Sequence, residues 1–312
     1  MANYFVGVDG GGTKTRALVV DAQGNELGSA LTGASNPNSV GKTDAMKNLV
    51  NAILQALAAA KINEPVNAFC GISGVNDKKT AKEFEAELLK NKQLNFEKLC
   101  VENDTRSLCA AAFGLDSGIV IIAGTGSKCY GRSADGKEWE TGGYDFHVSD
   151  EASAFDLARQ GLRAAVRGAD GRAPATLLTQ TMFDALQISE VGEISQRLHQ
   201  NCLKHPCEPM TKDEIAALAV YVDKAALAGD VVAKKILEDS MQELVLMVKT
   251  VAEKTGMANQ KPLRVGITGG VITHEPCATL FKKSLEKVFP QIEVFEPQAT
   301  PVVGATIRAR AL

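Results

Sequence analysis

Two rhythms of apolar residues alternate along the chain. Short β-branched runs that end at glycine or aspartate predict buried strands, and longer stretches with apolar residues every three or four positions predict helices. Tyr4-Phe5-Val6-Gly7-Val8-Asp9 predicts a strand ending in an acid; after Gly10-Gly11-Gly12-Thr13 the stretch 14–20 resumes strand-type residues. Asp21-Ala22-Gln23-Gly24-Asn25 reads as a turn and 26–30 as a third strand. Within 42–61, Met46, Leu49, Val50, Ile53, Leu54 and Leu57 fall on one helical stripe. Strands follow at 66–72 and 99–101, and helices at 78–90 and 105–113.

A second half then opens in the same style. Residues 118–123 form an apolar run, Gly124-Thr125-Gly126-Ser127-Lys128 follows, and Ala134-Asp135-Gly136 makes a turn. Gly10-Gly11-Gly12-Thr13-Lys14 and Gly124-Thr125-Gly126-Ser127-Lys128 share the pattern G-x-G-[ST]-K, and Asp21 and Asp135 mark both turns in the same register. The pattern predicts a duplicated hairpin-plus-α/β unit. Helices are expected at 149–167, 212–227, 231–254 and 302–310, with strands at 263–267 and 292–295; residues 203–210, with two prolines, read as a loop.

Composition narrows the class. A chain of 312 residues suits about two domains. Net charge is −3, so no basic field draws in nucleic acid or an anionic membrane. Seven cysteines, an odd number without framework spacing, suit a reducing cytoplasm. No apolar run is long enough to span a bilayer, and Met1-Ala2-Asn3-Tyr4 has no basic leader, so a cytoplasmic protein without a signal peptide is expected.

The 28 glycines matter through their placement. Three clusters, 10–12, 124–126 and 269–270, sit at strand ends, where backbone amides can approach an anion without an intervening Cβ. Neither familiar phosphate motif fits. Thr13 stands between Gly12 and Lys14, one residue out of register for a Walker A loop, and Thr15 occupies the third glycine position of a dinucleotide fingerprint; a strand follows where both need a helix. Tight turns remain the simplest alternative for any one cluster.

Acids at strand ends add candidate chemistry. Asp9 is suited to hold Mg²⁺ through water. Asp104 has two uses open, as cap of the helix at 105 or as acceptor of a substrate hydroxyl proton. Asp150 and Glu151 have the plain alternative of first-turn helix acids. His199, Cys202, His205 and Cys207 form a zinc-type donor set, yet match no standard zinc spacing.

With these clusters placed, the chain resembles the sugar kinase/actin-like ATPase superfamily. More narrowly it resembles the BadF/BadG-type ATPase family, in the branch that contains N-acetylglucosamine kinase and glucosamine kinase. The residues carrying this are Asp9-Gly10-Gly11-Gly12-Thr13-Lys14-Thr15, Ile122-Ala123-Gly124-Thr125-Gly126-Ser127 and Gly266-Ile267-Thr268-Gly269-Gly270-Val271. Ser35-Asn36, Gly71-Ile72-Ser73-Gly74, Gly142-Gly143, Ser149-Asp150-Glu151-Ala152-Ser153, Gly229-Asp230 and Pro301-Val302-Val303-Gly304-Ala305 extend it over nearly the whole chain.

The resemblance implies an α/β fold of two ribonuclease-H-like (actin-like ATPase) domains with an interdomain cleft. Residues 1–116 would form the first domain, completed by the helix at 300–312, and 117–299 the second. It implies ATP-dependent phosphorylation of an amino sugar, N-acetylglucosamine or glucosamine, at the 6-hydroxyl. Asp104 becomes the catalytic base. Gly11, Gly12, Thr13, Lys14, Gly124, Thr125, Gly126, Gly269 and Gly270 bind ATP, and Asp9 binds Mg²⁺. Asn36, Ser73, Asp104, Gly143, Tyr144, Asp145 and Asp150 line the sugar pocket, and the arrangement admits a homodimer.

Three departures bear on the acceptor. Gly142-Gly143-Tyr144-Asp145 and Ser149-Asp150-Glu151-Ala152-Ser153 stand where animal N-acetylglucosamine kinases carry G-G-W-G and G-D-E-G-S, and Lys128 replaces a neutral polar residue. The alternatives are an ATPase that activates a radical dehydratase or reductase, for which only Cys129 lies near the second phosphate loop, and a non-catalytic sugar sensor.

Overall fold

The computed structural model describes residues 3–200 and 208–312. By internal contacts it divides into one compact unit of Met1–Val120, Tyr130–Glu138 and Glu296–Leu312, and a second of Ile121–Cys129 and Trp139–Phe295.

The first sheet is built from β1 (Tyr4–Gly10), β2 (Lys14–Asp21), β3 (Glu26–Gly33), β4 (Val66–Ile72) and β5 (Phe96–Glu102), in the order β3-β2-β1-β4-β5. β1 pairs antiparallel with β2 and β2 with β3, whereas β4 runs parallel to both β1 and β5. Alternation sorts its two faces. Val6, Val8, Ala17, Val19, Ala68, Cys70 and Ile72 pack on α1 (Pro37–Ala60) through Ala45, Leu49, Ala52, Ile53 and Ala56. Phe5, Leu18, Val20 and Phe69 face the other way onto Val302, Ala305 and Ala309 of α12 (Pro301–Arg310). α12 lies close: a Cβ on Gly7 would strike Thr306, and one on Gly304 would strike the backbone of α3 (Asp104–Phe113) at Ser107 and Ala111. α2 (Lys78–Lys90) buries Phe84 and Leu88. α1 starts five residues earlier than its apolar stripe predicts, because Asn36 caps it and Pro37 opens it; Gly41, at φ 77° and ψ 157°, bends the helix where the stripe begins.

The second sheet comprises β6 (Gly118–Ala123), β7 (Ser127–Arg132), β8 (Glu138–Gly142), β9 (Leu263–Thr268) and β10 (Ile292–Phe295), ordered β10-β9-β6-β7-β8. Numbered from its own first strand, this order equals that of the first sheet, third-second-first-fourth-fifth. The duplication seen in the sequence is therefore a duplication of fold, and both sheets have the strand order of a ribonuclease-H-like domain. Its helices are α4 (Ala154–Ala169), α5 (Leu177–Leu186), α6 (Ile194–His199), α7 (Lys212–Ala216), α8 (Ala219–Leu227), α9 (Val231–Thr255), α10 (Gly270–Thr273) and α11 (Cys277–Val288). α9 contributes Ile236, Leu237, Met241, Leu244, Val248 and Val251 to the core.

Three expectations need correction. Asp21 and Asp135 do not occupy equivalent turn positions: Asp21 N bonds Asn25 O and Gly24 N bonds Asp21 O, and in the second half Ser133 takes that place, with Ser133 N bonding Lys137 O and Gly136 N bonding Ser133 O. The cause is strand length, eight residues in β2 against six in β7. The helix expected from 149 starts at Ala154, since Asp150 and Ala152 adopt φ 63° and 59° and Ser153 caps it through Asp156 N. The single helix expected over 212–227 is two, α7 and α8. Of the His/Cys set only His199 is described, its Nδ1 2.8 Å from Ser195 O; Cys202, His205 and Cys207 lie outside the described residues.

Candidate active site

In the first unit, backbone hydrogen bonds lace together the carboxyl ends of β1, β3 and β4. Gly11 N donates to Lys14 O at 2.9 Å, Gly11 O accepts from Ser35 N and Asn36 N, and Gly10 O accepts from Ser73 N at 2.8 Å. The loop so held keeps Gly12, Thr13 and Lys14 exposed. Asn36 uses its Oδ1 to cap α1 through Asn38 N and directs its Nδ2 at Ser73 Oγ, 3.3 Å away. Gly74, at φ 83°, leaves room for that carboxamide, which a Cβ there would strike. Asn36 and Ser73, residues far apart in sequence, are thus brought side by side.

Asp9, one residue from the end of β1, is paired in register with Arg16 on β2 and Gly71 on β4. Its carboxyl is pushed up to about 6, first by burial and then by the charge of Asp104, with Arg16 and Lys14 pulling it down. The two aspartates therefore share one electrostatic site. Asp104 is not the helix cap: Asn103 is, with its Oδ1 accepting from Thr105 N at 3.2 Å and Thr105 Oγ1 at 2.7 Å, and its Nδ2 donating to Asn76 at 2.9 Å. Asp104 is the first residue of α3 itself. The cap is therefore its neighbour, and Asp104 stands in the first turn of the helix, where the helix dipole favours an acid.

A divalent cation fits this pair by charge, since it would offset both the burial and the Asp104 charge that raise Asp9. The described residues hold no group of three or more His, Cys, Asp or Glu side chains arranged as a metal cage. A donor set this sparse suits Mg²⁺ brought in with phosphates and keeping most of its waters.

The second unit builds its own constellation from glycine loops. Gly269, directly after β9, has φ 100° and ψ 141°, a conformation open to glycine. A Cβ there would lie 2.5 Å from the carbonyl carbon of Ala123 and 2.8 Å from Gly124 N. The loops 124–126 and 269–270 therefore touch backbone to backbone, with Thr125 exposed between Gly124 and Gly126. Gly124 O accepts from Ala154 N at 2.7 Å, tying the loop to the start of α4.

Beside these loops runs the segment 142–152, and its backbone is strained. Gly142, Gly143, Asp145, Asp150 and Ala152 all have positive φ. Tyr144 and Asp145 are exposed; Asp145 accepts from His147 N at 3.0 Å and meets its Nδ1 at 2.6 Å, which holds its carboxyl below the usual range. Gly143 lies flat on the stem of Lys128, whose ammonium pairs with Glu140 at 3.3 Å and stands 5.9 Å from the Tyr144 ring. Asp150 is buried; it accepts from Ser127 N at 3.3 Å, pairs with Lys212 at 2.7 Å, and lies where a Cβ on Gly126 would clash. Lys212 and Glu140 escaped the sequence reading because nothing local marks them; Lys212 is 62 residues from its partner.

In the first unit the structure groups Asp9, Asn36, Ser73 and Asp104 about the ends of β1 and β4 and the start of α3; in the second it groups Gly124–Gly126 with Gly269, and Gly143, Tyr144 and Asp150 with Lys128, Gly126 and Lys212.

Comparison with known proteins gives a consistent set of relatives. The model of the BadF/BadG/BcrA/BcrD ATPase family matches residues 6–309. An N-acetylmuramic acid/N-acetylglucosamine kinase of Clostridium acetobutylicum is 30% identical, with 99% of this chain and 98% of that protein covered. An N-acetyl-D-glucosamine kinase of Dictyostelium discoideum is 27% identical, over 98% and 97%. Among solved structures, a candidate N-acetylglucosamine kinase from Chromobacterium violaceum superposes with a TM-score of 0.72 at 24% identity, covering 99% of both chains. At such identity the match speaks for the fold alone.

Proposed function

Since this chain belongs to the BadF/BadG/BcrA/BcrD ATPase family, we propose that it transfers the γ-phosphate of ATP to the 6-hydroxyl of an amino sugar, N-acetylglucosamine or glucosamine. The observation that carries the reading is the acid at the head of α3: Asp104 stands within Coulombic reach of Asp9, and Asn103 has taken over its capping duty. The kinase names of full-length relatives support the reaction class.

In this mechanism Asp104 accepts the hydroxyl proton as the sugar oxygen attacks phosphorus, a task worth a factor of about 10²–10⁴ in rate. The loop of Gly11, Gly12, Thr13 and Lys14 and that of Gly124, Thr125 and Gly126 hold phosphate oxygens, with Gly11 N and Gly124 N engaged in closing the loops themselves, while Gly269 and Gly270 receive the nucleoside. Asp9 would hold Mg²⁺, which would supply neutralisation of phosphate charge. Asn36, Ser73, Gly143, Tyr144, Asp145 and Asp150 orient the sugar hydroxyls.

A cytoplasmic site of action accords with the free thiols at Cys70, Cys100, Cys109 and Cys277. No helix among the described residues is long and apolar enough to cross a membrane.

The test is ADP release from MgATP over a panel of amino sugars, with the phosphorylated carbon read by ¹³C–³¹P coupling. Sugar-dependent ADP release with coupling at C6 supports the proposal. ADP release that no amino sugar stimulates overturns it.

A further inference from the structure

Lys212 is a residue that neither the sequence motifs nor the family resemblance singles out, yet it touches the strained segment at two points. Its ammonium is 2.7 Å from Asp150 Oδ2 and 5.2 Å from the centre of the Phe146 ring. Phe146 in turn meets Phe155 of α4 edge-on, with centroids 4.9 Å apart. The lysine is itself fixed at the start of α7, where Thr211 and Glu214 form a reciprocal capping box.

Asp150 divides its carboxylate between two neighbours. Oδ1 accepts from Ser127 N, at the edge of the glycine loop, and Oδ2 takes the lysine. A buried carboxylate with one weak amide bond at 3.3 Å is free to turn about its last torsion; a charge-assisted bond at 2.7 Å on the other oxygen stops that turn. Each oxygen keeps a further lone pair for a hydroxyl donor. The left-handed backbone at Asp150 also needs an outside restraint, because φ 63° is unfavourable for a residue with a Cβ.

We infer that Lys212 is a positioning residue for the acceptor sugar: it fixes the rotamer of Asp150 and the path of residues 146–150, and acts on the sugar through them. The inference rests on the amino-sugar reading, in which Asp150 binds a sugar hydroxyl. The nucleotide side is spared because the loops 124–126 and 269–270 are held by their own backbone contacts, Gly124 O to Ala154 N and Gly269 against Ala123 and Gly124.

The experiment compares Lys212→Met, Lys212→Gln and Lys212→Arg with the unaltered protein in the ADP-release assay, varying sugar and ATP separately and recording each melting temperature. Removing the charge should raise KM for the amino sugar by about tenfold or more, the scale of one lost charge-assisted hydrogen bond, with KM for ATP within about twofold. Lys212→Arg, which keeps the cation, should recover most of the sugar affinity. A sugar KM unchanged in Lys212→Met or Lys212→Gln overturns the inference, as does an equal rise in both KM values with a lowered melting temperature. Should Lys212→Met fail to fold, Lys212→Gln decides. Unaltered protein with no amino-sugar turnover overturns the functional reading first, and the role of Lys212 with it.

Discussion

Replacing Gly269 by alanine should damage the second unit, and the same change one residue later should not. At φ 100° and ψ 141°, Gly269 occupies backbone space that costs an L-residue ~1–3 kcal/mol. The new methyl would also need room already filled by the Ala123 carbonyl and by Gly124 N at 2.8 Å, both backbone atoms that cannot rotate away. Overpacking of this kind adds ~1–3 kcal/mol, giving a total of ~2–6 kcal/mol against a typical domain stability of ~5–15 kcal/mol. At ~2–4 °C per kcal/mol for units of this size, even the lower figure lowers Tm by ~4–8 °C. Gly270 has no atom within 4 Å of an added Cβ and opens α10, so Gly270→Ala should stay within ~0.5 kcal/mol of the unaltered protein. Thermal and urea unfolding read the stability, and titration with a non-hydrolysable ATP analogue reads the loops' second role. Gly269→Ala should bind the analogue more weakly because relieving the clash pushes the two glycine loops apart. An equally stable Gly269→Ala, or a Gly270→Ala as harmful as its neighbour, would refute the claim that these loops meet backbone to backbone.

The remaining predictions concern the first unit. Asp104→Asn should lower kcat by about 10²–10⁴ while nucleotide affinity holds, which single-turnover and binding measurements separate. Asp9 has a folded pKa of about 6 against an ordinary 3.8, so the folded state holds the proton more tightly; the stability it contributes is complete below the lower value and is lost as pH rises through the higher. In magnesium-free buffer Asp9→Asn should therefore match the unaltered protein at acid pH and exceed it by up to about 3 kcal/mol above pH 7, as urea midpoints across pH will show. That same variant should lose magnesium-dependent turnover. Asn103→Ala removes a buried cap with two accepted hydrogen bonds, and unfolding should show a cost of about 1–2 kcal/mol.

What could be read from the chain was what depends on neighbours in sequence. The strand–glycine–strand units were legible because a buried run, a glycine turn and a second run lie within twenty residues, and the repeat of that unit at 124 exposed the two-sheet architecture. The shift between the two turns was not, since the second hairpin closes at Ser133, two residues before the position that matches Asp21. A helix over 149–153 was expected from acids that suit a first turn, yet Asp150 is drawn out of the helix by Lys212 and Ser127, neither adjacent to it in sequence. α5, with Thr176 bonded to Leu178 N ahead of Leu178, Met182, Phe183 and Leu186, had a readable signal in its cap and apolar spacing. That Asn103 and not Asp104 caps α3 was not legible, because either side chain suits the place and only the structure shows which accepts from Thr105 N.

The backbone strain carries one further step. Five non-glycine residues among those described have positive φ: Lys61, Asp145, Asp150, Ala152 and Gln187. Lys61 and Gln187 are C-caps of α1 and α5, where a left-handed residue closes the last turn and returns its N–H to helix carbonyls. No helix end explains the other three, which fall within eight residues on the segment flanked by the glycine loop and the two lysines. Each of the three has a specific anchor instead: Asp145 bonds the His147 amide, Ala152 N donates to Asp156 Oδ2 at 3.1 Å, and Asp150 is held from both oxygens. A helix over 149–153, which the sequence suggests, would relieve the left-handed backbone at Asp150 and Ala152. That the segment is instead fastened at three successive points argues that the position of these side chains, and not the stability of the unit, is what the arrangement serves.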